Sequence, residues 1–347
     1  MTIRTLTLAV LPLGLLAAAC ADSPTSPSST SAVERATGQN QSGSSGSTTG
    51  TSTTTGTATA TTQADARTPS AGFALRFQAT AGGEMGRVRL PIEPQVPLDV
   101  ANDFTIEFWM KAEPGANAGG SCQAGEDGWR AGNVILDRAL TGAADNGEYG
   151  LSLSGGRIAF GVATARGNQT ICGLIDVTDG RWHHVAATRR ATDGQLRIYV
   201  DGTESAQGSG PGGDVSYRDG RDASINPLDP LLQIGGSKQE DGQAPPGFVG
   251  WLDELRISNR VRYTAPFDRP TSPFLTDADT AGLYHFDEGP AGPCSSTVQD
   301  ASGHNTHGQC RQGGASAPTP VYVTDTPFKV APVSQSRRTW LPDDELQ

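Results

Sequence analysis

Apolar and polar residues alternate at every second position in several short segments, and this pattern constrains the fold more than any other feature of the chain. The apolar side chains along Phe104–Met110 recur with period two, and the same alternation continues along Gln195–Val200. Such segments are typical of strands that bury one face. Glycine dipeptides such as Asp193-Gly194 favour tight hairpins between them. The sequence therefore predicts an all-β fold, an antiparallel two-sheet β-sandwich.

Shorter segments with the same alternation recur along the chain from Phe73 onward. The composition, with 44 glycines, 23 prolines and 18% charged residues, suits a protein with many turns and few exposed helices. We predict one sandwich domain over residues 71–328. Its further candidate strands are residues 75–78, 133–138, 149–153, 157–162, 182–190, 231–234, 248–258, 281–286 and 320–323.

The first residues have the layout of an export signal. Arg4 precedes the apolar run Leu6–Ala19, which is too short to span a bilayer. The segment Leu16–Cys20 resembles a bacterial lipobox, with Ala17 at the position where Leu is usual. This resemblance predicts a signal peptide over residues 1–19 and acylation of Cys20. We therefore expect a protein of the cell envelope, anchored to a membrane through lipid; cleavage after Ala21 and secretion is the alternative.

The segments on either side of the predicted domain are expected to be disordered. Residues 20–70 consist mostly of Ser, Thr, Gly, Ala and Pro, with almost no large apolar side chain. Such a segment buries too little surface to offset its ordering entropy, so we predict a disordered tether. Residues 329–347 are predicted to form a disordered C-terminal tail.

The five cysteines indicate two disulfides if Cys20 is set apart by acylation. An even number then remains, which suits an oxidising compartment. Four cysteines allow three pairings. Proximity in sequence favours Cys294 with Cys310, which leaves Cys122 with Cys172.

The charge balance bears on the class of ligand. The net charge is −11 and the isoelectric point is near 4.9. Nonspecific attraction to nucleic acid is therefore disfavoured, and we expect no nucleic-acid partner.

Several motifs in register resemble the successive strands of laminin G-like, concanavalin A-like lectin domains. The resemblance covers about residues 73–270, and a further piece lies in residues 281–308. It implies two sheets packed face to face and recognition loops at the rim. It also implies that the partner is a carbohydrate or a cell-surface protein, and some members use Ca²⁺. The motifs are Phe104–Lys111, Asp179–Ala186, Leu196–Gly202, Ile234–Gly236, Gly250–Arg260, Ala281–Gly289 and Gln299–Gly308.

Asp253 is the candidate metal ligand. In a regular strand it shares the parity of Leu255 and Ile257, so its carboxylate would point toward the core and would need a hydrogen bond or a metal. The resemblance implies a structural Ca²⁺ held by such an aspartate together with backbone carbonyls. The alternative is a carboxylate that accepts a backbone N–H at a bulge or pairs with an arginine. Glu254 is expected to face the other way, toward solvent or Arg256.

Three aromatic residues are candidate ligand-binding residues, because a sugar face packs well on an indole or phenol ring. Trp109 lies on the face opposite Phe108, so it is either capped by another segment or offered to a ligand. Trp129 and Tyr217 lie in polar or glycine-rich insertions. The resemblance places Trp182 in the core.

Catalytic and transition-metal chemistry have little support in the sequence. Glucanases on this fold use paired carboxylates on one strand face, in runs such as Glu-x-Asp-x-x-Glu. No such run is present, and Glu107 is the only acidic residue on its strand. His304 and His307 have a ligand-like spacing but lack converging partners. We therefore predict a binding protein, with a purely structural or adhesive surface protein as the alternative and a glycosidase as a third.

Overall fold

The computed structural model describes residues 72–79, 85–93, 96–125, 127–140, 147–217, 228–238, 245–295, 297–312 and 319–328. The predicted signal peptide, the predicted acylation site Cys20, the predicted tether and the predicted C-terminal tail lie outside these residues. Among the residues described, no helix has the length and apolar character needed to cross a bilayer.

The described residues form seventeen strands, arranged in two antiparallel sheets, and one short 3-10 helix. The first sheet has the order β10-β9-β8-β3-β12-β1-β17-β14, with β13 also paired to β12. The second has the order β15-β16-β2-β11-β4-β5-β6-β7. The elements are β1 (Ala74–Phe77), β2 (Arg87–Pro91), β3 (Phe104–Lys111), a 3-10 helix (Gly128–Ala131), β4 (Asn133–Asp137), β5 (Glu148–Ser154), β6 (Arg157–Thr164), β7 (Gly167–Asp176), β8 (Trp182–Arg190), β9 (Gln195–Val200), β10 (Thr203–Ser209), β11 (Leu231–Ile234), β12 (Gly250–Ser258), β13 (Thr280–Tyr284), β14 (Gly292–Pro293), β15 (Thr297–Val298), β16 (Gly308–Arg311) and β17 (Val321–Val323).

The core lies between the inner faces of the two sheets. From the first sheet, Phe104, Ile106, Phe108 and Met110 of β3 enter the main apolar cluster, as the alternation predicts. Leu151 of β5 enters it from the second sheet. The predicted all-β sandwich is thus confirmed, and so is the hairpin at Asp193-Gly194, where β8 pairs with β9.

Three strands of five residues or more were not predicted from the sequence. β7 and β10 are largely polar, and both lie at the ends of their sheets. β2 carries two arginines on its outward parity. β7 and β10 alternate weakly because they are largely polar edge strands, whereas β2 does alternate, with Val88 and Leu90 in the core, but over only four residues.

Both favoured disulfides are present. Cys122 bonds to Cys172, which ties the insertion before β4 to β7, and Cys294 bonds to Cys310 across 16 residues. The pairing that proximity in sequence favoured is therefore confirmed.

Candidate binding surface

A row of partly exposed side chains crosses the outer face of the first sheet near one end. Strand register aligns Arg76, Trp251, Lys111 and Trp182 on β1, β12, β3 and β8. Their neighbours Leu75, Leu252 and Met110 point into the main core, so the row faces outward. We call these four residues the open row. The two tryptophans lie two strands apart, a separation of about 10 Å between their backbones.

Cations and indole rings alternate along the open row and contact one another. The Arg76 guanidinium lies 4.8 Å from the ring centroid of Trp251, and Lys111 Nζ lies 4.9 Å from it. Trp251, Lys111 and Trp182 are half-buried, whereas Arg76 is exposed. A cation over an indole face is an attractive contact that also holds the ring in place. The row therefore holds the half-buried Trp251 ring against two positive charges, with Trp182 next to Lys111.

The rest of this outer face is closed by residues 259–279, the cover segment. Tyr263 and Phe267 of this segment stack with ring centroids 3.6 Å apart, and Phe267 also packs on Tyr199. Phe274 lies against His184, with 5.7 Å between the two ring centroids. The cover segment shields the strands beneath it, and the open row lies on a part of this face that the segment leaves accessible.

Glu107 sits beneath the cover segment and is fully buried. Its carboxylate accepts hydrogen bonds from Tyr263 Oη at 2.8 Å and Arg256 Nε at 2.8 Å, and lies 3.2 Å from His184 Nε2. Burial alone would raise the pKa of Glu107, but these partners outweigh it and lower the pKa. Glu107 is thus a fixed anion that anchors the cover segment, and no substrate could reach it in this conformation.

The three predicted ligand-binding aromatics are all buried, which corrects the expectation of exposed stacking faces. Trp109 is 3% exposed, Trp129 is 2% exposed and Tyr217 is 1% exposed. Each ring packs against other residues inside the protein. The structure brings none of the three into the open row.

Trp109 is capped rather than offered to a ligand. Phe328 packs edge-on against it with 5.2 Å between ring centroids, and the Arg269 guanidinium lies 5.2 Å from its ring. Phe274 joins the same small apolar cluster. Of the two alternatives left open for Trp109, the capped one is correct.

Trp129 and Tyr217 are packing anchors of their insertions. The Trp129 ring covers Gly150 and Gly161, where a Cβ atom would lie within 2.3 Å and 2.0 Å of the indole. The backbone N–H of Tyr217 donates to Asp99, and the Arg138 guanidinium lies 5.6 Å from the Tyr217 ring. A glycine pair on adjacent strands makes a flat seat that an indole fills, which the isolated insertion sequence does not reveal.

The open row was missed in the sequence because β12 is not regular. A β-bulge between Asp253 and Arg256 adds one residue, and Glu254 adopts a φ of 51° there. The extra residue puts Trp251 on the outer parity, opposite to the parity expected from Leu255. Leu252, an apolar residue of the other parity, is the one signal that could have revealed it.

The bulge also corrects the orientation of Asp253 and the partner of Glu254. Asp253 aligns with Trp109 on the outer side of the sheet, and its Oδ1 accepts the Glu254 backbone N–H at 2.9 Å. The carboxylate of Glu254 binds His285 Nδ1 at 2.8 Å rather than Arg256, which pairs with Glu107. The alternative of a carboxylate at a bulge is therefore what the structure shows for Asp253.

The electrostatic surroundings of Asp253 fit a cation. The residue is 3% exposed, and burial together with the nearby carboxylates of Glu254 and Asp287 raises its pKa well above the usual value. No three Asp, Glu, His or Cys side chains in the described ranges converge on a point that could hold a metal. A Ca²⁺ ion at Asp253 would therefore take its other ligands largely from backbone carbonyls.

The histidine pair near the C-terminus organises a turn. Asp300 accepts backbone N–H groups from Leu283 at 3.1 Å and from Thr306 at 3.0 Å. His307 Nδ1 accepts the Asp300 N–H at 3.0 Å, and His304 Nε2 lies 3.2 Å from the Thr280 carbonyl. The two histidines thus face different groups.

The sheet order and the closed outer face together define a concanavalin A-like β-sandwich. Residues 82–265 match the sequence profile of a laminin G family described as the concanavalin A-like lectin/glucanases superfamily, and the chain belongs to that family.

Similarity to individual proteins is more limited. The chain is 30% identical over 140 residues to the rat "Sushi, von Willebrand factor type A, EGF and pentraxin domain-containing protein 1" and 29% identical to the mouse protein. The match covers 40% of this chain and 3% of each relative.

Two solved structures of similar proteins have still lower identity. A "putative carbohydrate binding protein" from Bacteroides ovatus has a TM-score of 0.48 at 17% identity, over 75% of this chain and 62% of that one. The SAP-like pentraxin of Limulus polyphemus has a TM-score of 0.37 at 16% identity, over 56% of this chain and 78% of that one.

Proposed function

We propose that this chain is a non-catalytic binding protein of the cell envelope whose sandwich domain binds carbohydrate along the open row. The observation that carries the proposal is the pair of half-buried indoles, Trp251 and Trp182, held two strands apart by strand register. Indole rings provide apolar area for the CH-rich face of a sugar, and their N–H groups and the adjacent cations provide polar contacts.

A non-catalytic role is supported by the state of the acidic residues on the same sheet. Hydrolysis of a glycosidic bond needs two carboxyl groups on opposite sides of the bond, about 5–10 Å apart. Glu107 is fully buried in fixed ion pairs, and Glu254 is 2% exposed and bound to His285. Neither of these carboxylates reaches the open row, which supports binding without cleavage.

The test is a glycan array probed with the full chain carrying Cys20→Ser, which prevents acylation. Binding should be lost in Trp251→Ala and in Trp182→Ala. Leu275→Ala is the matched control, because Leu275 is 68% exposed and lies outside the open row. Binding that survives both tryptophan substitutions would place the site elsewhere. A chain that binds no glycan but binds a purified surface protein would support the adhesive alternative.

Display on a membrane is a second part of the proposal and rests on the lipobox-like segment that ends at Cys20. A lipoprotein modification carries more than one acyl chain, which stable anchoring requires. Radioactive palmitate fed to expressing cells should label the wild-type chain and not Cys20→Ser, and the variant should move from the membrane fraction to the soluble fraction. An unlabelled, soluble wild-type chain would favour secretion.

A structural Ca²⁺ ion at Asp253 is the third part. The buried carboxylate, with one backbone hydrogen bond and several like charges nearby, supports a cation there. When bound, Ca²⁺ would neutralise this charge and tie the bulge of β12 to neighbouring backbone. The ion is not needed for the contacts within the open row.

A further inference from the structure

One carboxylate of the chain itself already lies on the open row. Asp325 follows β17, and its Oδ2 binds Lys111 Nζ at 2.8 Å while its Oδ1 accepts the Trp182 Nε1–H at 3.1 Å. Lys111 and Asp325 are 214 residues apart in sequence, so only the tertiary fold brings them together. Burial alone would raise the pKa of Asp325, but the hydrogen bonds from Lys111 and Trp182 outweigh it and lower the pKa.

The two groups that donate to Asp325, Lys111 Nζ and Trp182 Nε1, form a binding site for a carboxylate beside an aromatic ring. The ammonium and the indole N–H each donate to one carboxylate oxygen, which fixes the plane of the group. The open row carries two cations, Arg76 and Lys111, against the one carboxylate of Asp325, although the chain has a net charge of −11. This local positive charge is complementary to an anionic ligand.

The contacts of Asp325 with Lys111 and Trp182 are weak enough for a ligand carboxylate to replace them. Its side chain is 46% exposed and that of Lys111 is 17% exposed. An ion pair this accessible to water favours the closed arrangement by a factor of about five at most. A ligand carboxylate attached to rings that also stack on Trp251 or Trp182 adds contacts that Asp325 does not make.

We propose that the open row recognises an acidic oligosaccharide, one that contains uronic acid residues, and that a ligand carboxylate replaces Asp325 at Lys111 Nζ and Trp182 Nε1. This inference rests on the proposed carbohydrate-binding function and adds the class of sugar. Two indoles on strands about 10 Å apart suit linked pyranose rings better than an extended acidic peptide, whose side chains alternate in direction along a strand.

The test compares oligouronates with the same oligosaccharides after reduction of their carboxyl groups to primary alcohols. Both sets are first arrayed, and the best pair is then titrated calorimetrically into the full chain carrying Cys20→Ser. The wild-type chain should bind the acidic member more tightly. Lys111→Met should weaken acidic binding about tenfold or more, the range for a hydrogen bond to a charged group. It should also abolish the preference for the acidic form.

Asp325→Asn is the more specific variant, because it changes the carboxylate that competes with the ligand and leaves the donors Lys111 and Trp182 unchanged. It should strengthen binding of the acidic oligosaccharide by up to about fivefold, since the ligand no longer has to replace an anion. The neutral oligosaccharide should respond much less. Arg181→Met is the matched control, because Arg181 is an exposed cation next to Trp182 that contacts Asp179 and lies outside the row. Thermal unfolding of each variant checks that it is folded.

The outcomes separate the inference from the proposal on which it depends. Equal affinity for acidic and neutral forms, with binding still lost in Trp251→Ala, would overturn the inference and leave carbohydrate binding in place. A preference for acidic peptides over every glycan would also overturn it. Absence of binding to the entire array would remove the proposed function itself.

Discussion

Asp253→Asn should raise the stability of the metal-free protein, although it alters a fully packed position. Asp253 is 3% exposed, and its carboxylate lies near Glu254, Asp287 and Glu288. Burial and these like charges raise its pKa well above the usual value. An amide has nearly the same shape, carries no charge and keeps the oxygen that accepts the Glu254 N–H. The substitution therefore removes an unfavourable charge and retains the contact.

The size of the effect follows from the cost of a buried polar group that lacks full compensation, about 1–3 kcal/mol and more for a charge. For a domain of this size, each kcal/mol moves the midpoint of thermal unfolding by about 2–4 °C. We expect Asp253→Asn to raise the midpoint by roughly 2–12 °C at pH 7 in chelator.

The pH dependence gives an independent check of the sign. A carboxyl group whose folded pKa is raised stabilises the folded state below its unfolded pKa, and this contribution is lost as pH rises through the folded pKa. Wild-type stability should therefore fall as pH rises above about 4, the usual pKa of an aspartate, because Asp253 ionises at a cost in the folded state. The variant should show a smaller fall.

The assay is thermal unfolding of both proteins by circular dichroism, with disulfides intact, in chelator and then in excess Ca²⁺. If Ca²⁺ binds at Asp253, linkage stabilises the wild type by about 2.7 kcal/mol at a concentration 100 times the dissociation constant. The order of the two midpoints should then reverse. Asp193→Asn is the control, because Asp193 is an exposed carboxylate whose pKa is lowered by Arg190 to about 2 and which should not gain stability on neutralisation.

A lower midpoint for Asp253→Asn in chelator would refute the reasoning, because the carboxylate would then stabilise the fold. An equal Ca²⁺ response in both proteins would place any calcium site elsewhere. No response in the wild type would leave Asp253 as a structural carboxylate at a bulge.

Three further predictions test other parts of the structure. The Glu254 carboxylate outweighs burial and raises the pKa of His285, so His285 should stabilise the fold below pH 6.5 and lose this contribution as pH rises through its folded pKa. His285→Asn should flatten the fall in unfolding midpoint between pH 6 and 8.5, and an unchanged slope would contradict this. Joint replacement of Cys122 and Cys172 by Ser should cost about 4 kcal/mol in urea unfolding, since the bridge spans 50 residues; a loss below about 1 kcal/mol would show that the bridge adds little. Gly161→Ala should destabilise by about 1–3 kcal/mol, because its Cβ would lie 2.0 Å from the indole that covers it. A neutral result in the same titration would show that the ring shifts freely.

Strand positions and cysteine pairing were accessible from the sequence because both depend on local information. The segments 182–190, 195–200 and 231–234 coincide with β8, β9 and β11. Alternation marks such strands wherever one face is buried. The sequence separation of Cys294 and Cys310 likewise favoured the bridge that forms.

The binding surface was not accessible in the same way. Trp109, Trp129 and Tyr217 were reasonable ligand candidates by residue type and location, but each is covered by a segment distant in sequence. Conversely, Trp182 was expected in the core; it packs against the small Trp109 cluster but stays partly exposed on the open row. Whether a ring is covered depends on which loop crosses it, and residue type does not encode that.

The sequence by itself determined that this chain forms an antiparallel sandwich, that it has two internal disulfides and that it carries no paired-carboxylate run of the glucanase type. Tertiary structure alone decided which face stays open. One extra residue at the bulge beside Glu254 moves Trp251 to the outer parity. The return of the chain after β17 brings Asp325 to Lys111. Strand alternation has a period of two residues and indicates only that neighbouring side chains lie on opposite faces of a strand. Strand register, bulges and the segments that cross a sheet depend on contacts between residues far apart in the chain.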